Sequence, residues 1–478
     1  MLAGFRVSNF LSFKDMQNFS MIKGKSEEHP EHIINGYPKL LDRTFFYGAN
    51  SAGKSNFITA VAYAQGIAIG KSKKHLCRST DVINTLERMS YDGSDNPISY
   101  FEFLLFIKNR YFSYGFEYDC RLKTYSSEWL IELFENGSEK EIFVLDFGKN
   151  GDKKVSHNDD FDKAMHHGYD SGDSFLSISS DETSKLVYSW LCNSLYVVVA
   201  SDDRWNIHHE FSINNYEIPE LFTLLYKLDT GIDGIYSSDP YALCALKESE
   251  TFNDLVKVSD KEIDRRMKSS DGYYDSLFVK PTVSPFKFDW RGLHIIMDRE
   301  VTDRFYENRK EYCAREGLEV GDVFDVEIGL SFTHRRPHFE VDYKDESDGT
   351  KKVLEILMTY FHRVYNQDEM GYTVLYDEFE CSIHILLIRQ LLKILDDRRK
   401  NHRMQFIATT HESRILTLSL LRNDEVWFVD SDEKKGSSIY SLSSFSDAEG
   451  DSNIDVEYLK GRFGAIPAVR EYYEEDDE

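Results

Sequence analysis

Eight residues constrain this chain more than any others. Gly48-Ala49-Asn50-Ser51-Ala52-Gly53-Lys54-Ser55 fits the pattern GxxxxGK[ST] at every fixed position. Each residue type answers a physical need. Glycines let backbone N–H groups curl around phosphate oxygens with no Cβ in the way, and the helix that follows turns its positive N-terminal end to the same charge. Lys54 supplies a point charge for the outer phosphates of a nucleoside triphosphate, and the Ser55 hydroxyl suits a magnesium ion. Gly48, Asn50, Gly53, Lys54 and Ser55 are therefore the candidate nucleotide-binding residues. The flanks agree: Arg43 to Tyr47 reads as a short buried strand, and Asn56 to about Ala68 as a helix with Phe57, Ile58, Val61 and Ala62 on one stripe.

Two later strand ends carry groups suited to the same site. Tyr372 to Tyr376 is an apolar strand ending in Asp377-Glu378. A hard cation needs oxygen ligands on a rigid element, which fits Asp377 as a second magnesium group, and Glu378 is placed to act as general base on the attacking water. Gln405 to Thr410 reads as the next strand, ending in His411. One helix and one strand after Glu378, His411 would share the carboxyl edge of a parallel sheet and sense the γ-phosphate. Glu346-Ser347-Asp348-Gly349-Thr350 precedes a helix over Lys351–Tyr365, and two readings stand: a second anion site, or an ordinary helix cap.

At 478 residues, the chain has room for two or three domains. Period-two runs at Ile98–Phe106, Tyr111–Tyr118 and Trp129–Phe134 predict antiparallel strands, and Ser184–Ala200 a helix followed by a strand. Helices over Glu217–Leu228, Glu248–Lys268 and Thr302–Glu316, without a sustained heptad, predict a compact helical insertion. The expected layout is an N-terminal lobe over 1–204, an insertion over 205–325 and a C-terminal lobe over 326–478, because the loop at 48–55 and Asp377 must belong to one fold.

The 57 Lys+Arg against 83 Asp+Glu leave a net charge of −26. Coating a phosphate backbone by bulk charge is disfavoured, since counterion release needs clustered cations, so DNA contact is not indicated by charge. Six cysteines without a CxxC pair suggest neither a disulfide framework nor a zinc site and fit a reduced compartment. The start lacks a signal-peptide pattern, and the most apolar stretch, Leu186–Ala200, is too short and polar to span a bilayer; a cytoplasmic protein without membrane contact is expected.

Taken together these motifs resemble the ABC/SMC-like ATPase heads, in particular the ATPases of bacterial abortive-infection and anti-phage systems of AbiL and PARIS AriA type. The resemblance extends to Phe5–Phe13, Leu225–Ile232, Asp377–Glu380, Ile383-His384 and Tyr458–Pro467. It implies an α/β fold, an ABC-type ATPase head with a mixed phosphate-loop sheet and an antiparallel β-subdomain, interrupted by the helical insertion. It implies ATP and Mg2+ as cofactors and ATP hydrolysis as the activity. Ser347 and Gly349 would be a signature touching the nucleotide of a second copy, in a homodimer or higher homo-oligomer, with Glu380–His384 as the D-loop at that interface. The signature departs from the family by beginning with Glu346, and Glu102 lies in the strand region where a Q-loop glutamine would be sought.

The same resemblance implies a sensor of infection, set off by a phage protein, that controls a separately encoded effector, a nuclease. Two alternatives carry distinct demands. An SMC-like DNA-repair or DNA-tethering ATPase calls for heptad arms or a basic groove. A self-sufficient OLD-like nuclease–ATPase would use Asp430 and Asp432, whose plainer reading is a polar turn. His208-His209-Glu210 lacks flanking ligands at metal spacing and reads as polar surface, and the run Glu474–Glu478 as a solvated end.

Overall fold

Uninterrupted apolar runs and alternating runs form two different kinds of sheet in this protein, seen in a computed structural model. It describes residues 1–70, 96–147, 153–156, 174–199, 224–225, 227–228, 230–237, 330–335, 338–342, 345–364, 370–399, 404–432, 434–445 and 453–467. The chain divides into one unit of Met1–Asp203, Asp368–Glu380 and Leu395–Glu478, and another of Arg204–Gln367 and Cys381–Ile394.

The first unit opens with β1 (Leu2–Ser8), β2 (Gln17–Ser20), β3 (Ile33–Ile34), β4 (Leu40–Leu41) and β5 (Arg43–Tyr47), followed by helix α1 (Lys54–Ile69). Four long strands come next, β6 (Ile98–Ile107), β7 (Arg110–Asp119), β8 (Thr124–Leu133) and β9 (Glu139–Phe147), with a short β10 (Lys153–Ser156). Helices α2 (Phe175–Ile178) and α3 (Glu182–Asn193) lead into β11 (Leu195–Val198). The second unit contains an antiparallel three-stranded sheet of β12 (Ile232–Ser237), β13 (Leu330–Arg335) and β14 (His338–Asp342), and helix α4 (Asp348–Val364). After it the chain forms β15 (Tyr372–Tyr376), α5 (Ile385–Arg399), β16 (Met404–Thr409), β17 (Val426–Asp432), β18 (Gly436–Ser441) and α6 (Ile454–Leu459).

A seven-stranded antiparallel sheet runs β10-β9-β8-β7-β6-β1-β2, and a six-stranded sheet runs β11-β15-β16-β5-β17-β18. The first five strands of the latter are parallel to their neighbours; only β18 turns back. Every residue of β5, β15 and β16 is buried, as strands covered on both faces must be. This is the α/β architecture expected, with parallel and antiparallel sheets in one unit.

The sequence suggested one apolar stripe on α1. The helix is instead buried on nearly every side, including Ala60, Ala64, Gln65 and Ala68. Its side chains pack against both sheets: the Phe57 ring lies 5.4 Å from Phe19 and 4.7 Å from Phe46, and Tyr63 stacks 4.9 Å from Phe10. The first helix turn, and with it the phosphate loop, is thus held between two layers.

Two other expectations are corrected. Asp430-Ser431-Asp432 is not a turn but the end of β17, paired residue by residue with β18. The turn comes just after, where the Asp432 carboxylate accepts from the N–H groups of Lys434 (2.9 Å) and Lys435 (3.0 Å). Helix α4 begins at Asp348, three residues ahead of the expected start, because Ser347 caps it. The helices expected over Glu248–Lys268 and Thr302–Glu316, most of Glu217–Leu228, the His208-His209 pair and the acidic tail lie outside the described residues. Among the described residues, no helix is long and apolar enough to cross a membrane.

Candidate nucleotide site

In the six-stranded sheet β15, β16 and β5 are adjacent and parallel, with Tyr376 opposite Ala408 and Thr409 opposite Phe46. Their carboxyl ends therefore coincide. The phosphate loop leaves β5, Asp377-Glu378 leaves β15, and Thr410-His411 leaves β16. This edge is where open parallel sheets offer a ligand crevice.

The groups meet at bonding distance. Ser55 Oγ donates to Asp377 Oδ1 at 3.1 Å, and the same oxygen accepts from Thr409 Oγ1 at 2.6 Å. Thr409 Oγ1 in turn accepts the Glu378 N–H at 2.8 Å, so one hydroxyl fixes both carboxylate residues. Glu378 sits in the left-handed region at φ 49, a conformation a non-glycine side chain holds only when its surroundings impose it. Lys54 Nζ donates to the carbonyls of Gly48 (2.8 Å) and Ala49 (2.9 Å) and lies 3.5 Å from His411 Nδ1. The His411 backbone N–H is bonded to the Glu380 carboxylate.

Burial tunes the bases. Lys54 is 5% exposed, and loss of water lowers its pKa to about 8, against the pull of Asp377, Glu380 and Glu378. His411 is pushed below its ordinary value by burial and then by the neighbouring Lys54 charge, both of which favour the uncharged ring.

The donor set fits a magnesium–triphosphate. Gly53 precedes α1 at φ 114 with no side chain capping the first turn, so those helix N–H groups face the loop uncapped by any side chain. A Cβ on Gly53 would also run into Ser437 Oγ and stand 2.9 Å from Ser12 Oγ. Cation and N–H donors suit phosphate oxygens; the Ser55 hydroxyl and the Asp377 carboxylate suit a hard cation.

Three participants escaped the sequence. Thr409 was legible as a strand end but not as the bridge between carboxylates. Ser12 and Ser437 support the loop from behind: Ser437 Oγ donates to Ala52 O at 2.6 Å, Ser437 N to Ser12 O at 2.7 Å, and Asn56 Nδ2 to Ser12 Oγ at 2.8 Å. Neither reads from the sequence as a support of the loop, since the contact exists only because β18 folds back beside it. Ser437→Ala is expected to weaken nucleotide binding about fivefold, the worth of one hydrogen bond of ~1 kcal/mol. Titration with a fluorescent nucleotide measures it, and unchanged affinity would remove Ser437 as a support.

Glu102 is taken up within the antiparallel sheet by Arg6 (2.8 Å), Tyr100 (2.8 Å) and Ser113 (2.7 Å). In the second unit, Ser347 Oγ accepts from Thr350 N at 3.2 Å, the geometry of a helix cap, and both Ser347 and Asp348 are exposed. Glu346, the first residue of the stretch expected to act as a signature, is anchored by His334 Nε2 at 2.6 Å. A Cβ on Gly349 would collide with the Ser382 carbonyl, so the first turn of α4 packs there backbone to backbone.

The chain is similar to three solved structures of Smc heads. One is the head bound to the C-winged helix domain of ScpA (11% identity, 92% of this chain and 97% of that one, TM-score 0.32). Another, from Pyrococcus furiosus, carries an extended coiled coil and the C-terminal domain of ScpA (12%, 96% and 98%, TM-score 0.36). A third, from Pyrococcus yayanosii, has a coiled coil and joint (10%, 96% and 99%, TM-score 0.39). No match is found among curated proteins. The sequence model of the family described as "AAA domain, putative AbiEii toxin, Type IV TA system" matches residues 43–417, from the first residue of β5 to beyond the His411 loop. Since that match spans well over half of the chain, the protein belongs to this AAA-domain family of type IV toxin–antitoxin systems.

Proposed function

We propose that this protein binds and hydrolyses ATP with Mg2+, and that the nucleotide state controls a separately encoded effector in an anti-phage abortive-infection system. The observation that carries the reading is the meeting of Lys54, Ser55, Asp377, Thr409 and His411 at the ends of three adjacent parallel strands. Lys54 and the N–H groups of the loop hold the phosphates. Ser55 and Asp377 hold the magnesium ion, which when bound neutralises charge on the phosphate oxygens. Glu378 takes the proton of the attacking water, and the His411 ring donates toward the outer phosphate.

The exposed, Ser347-capped start of α4 supports a second role. Ser347 and Gly349 of one copy would meet the nucleotide held by another, so that ATP joins two chains and hydrolysis parts them. The toxin–antitoxin description of the family supports effector control through that assembly cycle.

The test uses the native operon with this chain tagged. Protection from phage should require the neighbouring genes, and the tagged chain should retain a neighbour-encoded protein whose release depends on ATP turnover. If the chain alone protected cells and retained no neighbour-encoded protein, effector control would fail.

A further inference from the structure

On the reading that this site hydrolyses ATP, we infer that Glu380 is a positioning residue within its own chain. Its carboxylate holds the His411 main chain where the ring meets the outer phosphate. The resemblance would place Glu380 in a loop that meets a second copy. Its side chain turns inward instead and accepts the His411 N–H.

The local fold brings this about. The turn after β15 is tied to the end of β16 at one residue: Thr409 accepts the Glu378 N–H on its hydroxyl at 2.8 Å and the Phe379 N–H on its carbonyl at 3.1 Å. The Phe379 ring is fully buried, 4.9 Å from Phe406 and 6.3 Å from Phe45, and pins the turn to the strand ends. Glu380 follows at once, beside the segment that leaves β16. There Thr410 N donates to Phe46 O at 2.9 Å, and the next amide, that of His411, donates to Glu380.

That is the one hydrogen bond of the Glu380 carboxylate among the described residues; Oε2, itself buried, has none. A buried carboxylate oxygen without a partner costs free energy, and folding alone gives no reason to keep it. Its surroundings supply the reason. Burial and the Lys54 charge lower the pKa of the His411 ring, and of the carboxylates opposing them Glu380 acts most strongly, ahead of Glu378 and Asp377. Glu380 acts on Lys54 as well, whose Nζ lies 3.5 Å from His411 Nδ1. A negative charge beside the phosphate site opposes ATP binding, so Glu380 does not serve affinity. What it contributes is a fixed His411.

The experiment combines steady-state ATP hydrolysis by the full chain with hydrogen exchange of the His411 amide in the nucleotide-free protein. Although His411 is exposed, its N–H should exchange more than ~10-fold slower than an open amide, and Glu380→Ala should abolish that protection. The same variant should lower kcat ~10–100-fold, the worth of a hydrogen bond to a charged group, without raising KM for ATP. Glu380→Gln, whose side-chain carbonyl still accepts from the N–H, should recover most of both losses. Wild-type kcat in the alanine variant overturns the positioning role. So does a raised KM, which marks general damage to the site, or a glutamine variant as slow as alanine, which marks a carboxylate acting in the chemistry. An unprotected His411 amide in the wild-type chain overturns it with no variant needing to fold. A protected amide in a wild-type chain that hydrolyses no ATP leaves the bond standing but ends the ATPase reading, and the positioning role with it.

Discussion

Lys54→Ala is expected to weaken ATP binding by about 3 kcal/mol or more, over ~100-fold in Kd, with the fold retained. The size of the effect follows from burial. Lys54 is almost fully enclosed, and its ammonium is the cation among the loop groups that meet the outer phosphates. In the free protein it also cross-links the loop through Gly48 O and Ala49 O, so alanine removes both the counter-charge and the strut. Calorimetry at pH 7 with a non-hydrolysable ATP analogue and magnesium checks it; wild-type affinity would take Lys54 out of the site.

The same residue sets a pH dependence. Burial lowers its pKa to about 8 in the free protein, and phosphates beside it raise that value again. Binding above pH 8 therefore takes up a proton, and affinity falls as pH rises through that region, by up to about tenfold per unit. Below pH 7 the amine is already charged and contributes no slope. Titration at pH 8.5 in two buffers of different ionisation heat reads the proton directly. Lys54→Arg, charged throughout, should abolish the uptake.

How far the sequence discloses such a site depends on how local each contact is. Strand β5, the loop and α1 are continuous in the chain, so periodicity and glycine spacing were enough to read them. Asp377 and His411 could be placed beside the loop because a parallel sheet has one carboxyl edge, and residues after successive strands must share it. Thr409 needed the register of β15 against β16, which no pattern within either strand states. Ser437 needed the return of β18 beside the loop, and the sequence between Asp430 and Asp432 reads as a turn until that partner strand is known. Local chemistry was legible; chemistry assembled by tertiary return was not.

Glu378→Gln is expected to cut hydrolysis by about 10²–10⁴ while leaving ATP binding near the wild-type value. The reasoning rests on how the residue is held. Its backbone, at φ 49, is fixed by the Thr409 hydroxyl and not by its own carboxylate, so an amide of the same shape keeps the geometry and loses only basicity. Asp377 differs: its Oδ1 bonds both Ser55 and Thr409, so Asp377→Asn disturbs the magnesium pair and should weaken magnesium-dependent binding as well. The two variants thus separate proton transfer from cation holding in adjacent residues. The glutamine variant also tests whether ATP joins two chains. With binding intact and turnover stalled, it should accumulate with ATP as an assembly larger than the nucleotide-free chain on a sizing column, while Lys54→Ala stays small under the same conditions. Stalled turnover without a larger species would keep Glu378 as the base and remove the second copy from the mechanism; normal turnover would remove Glu378 itself.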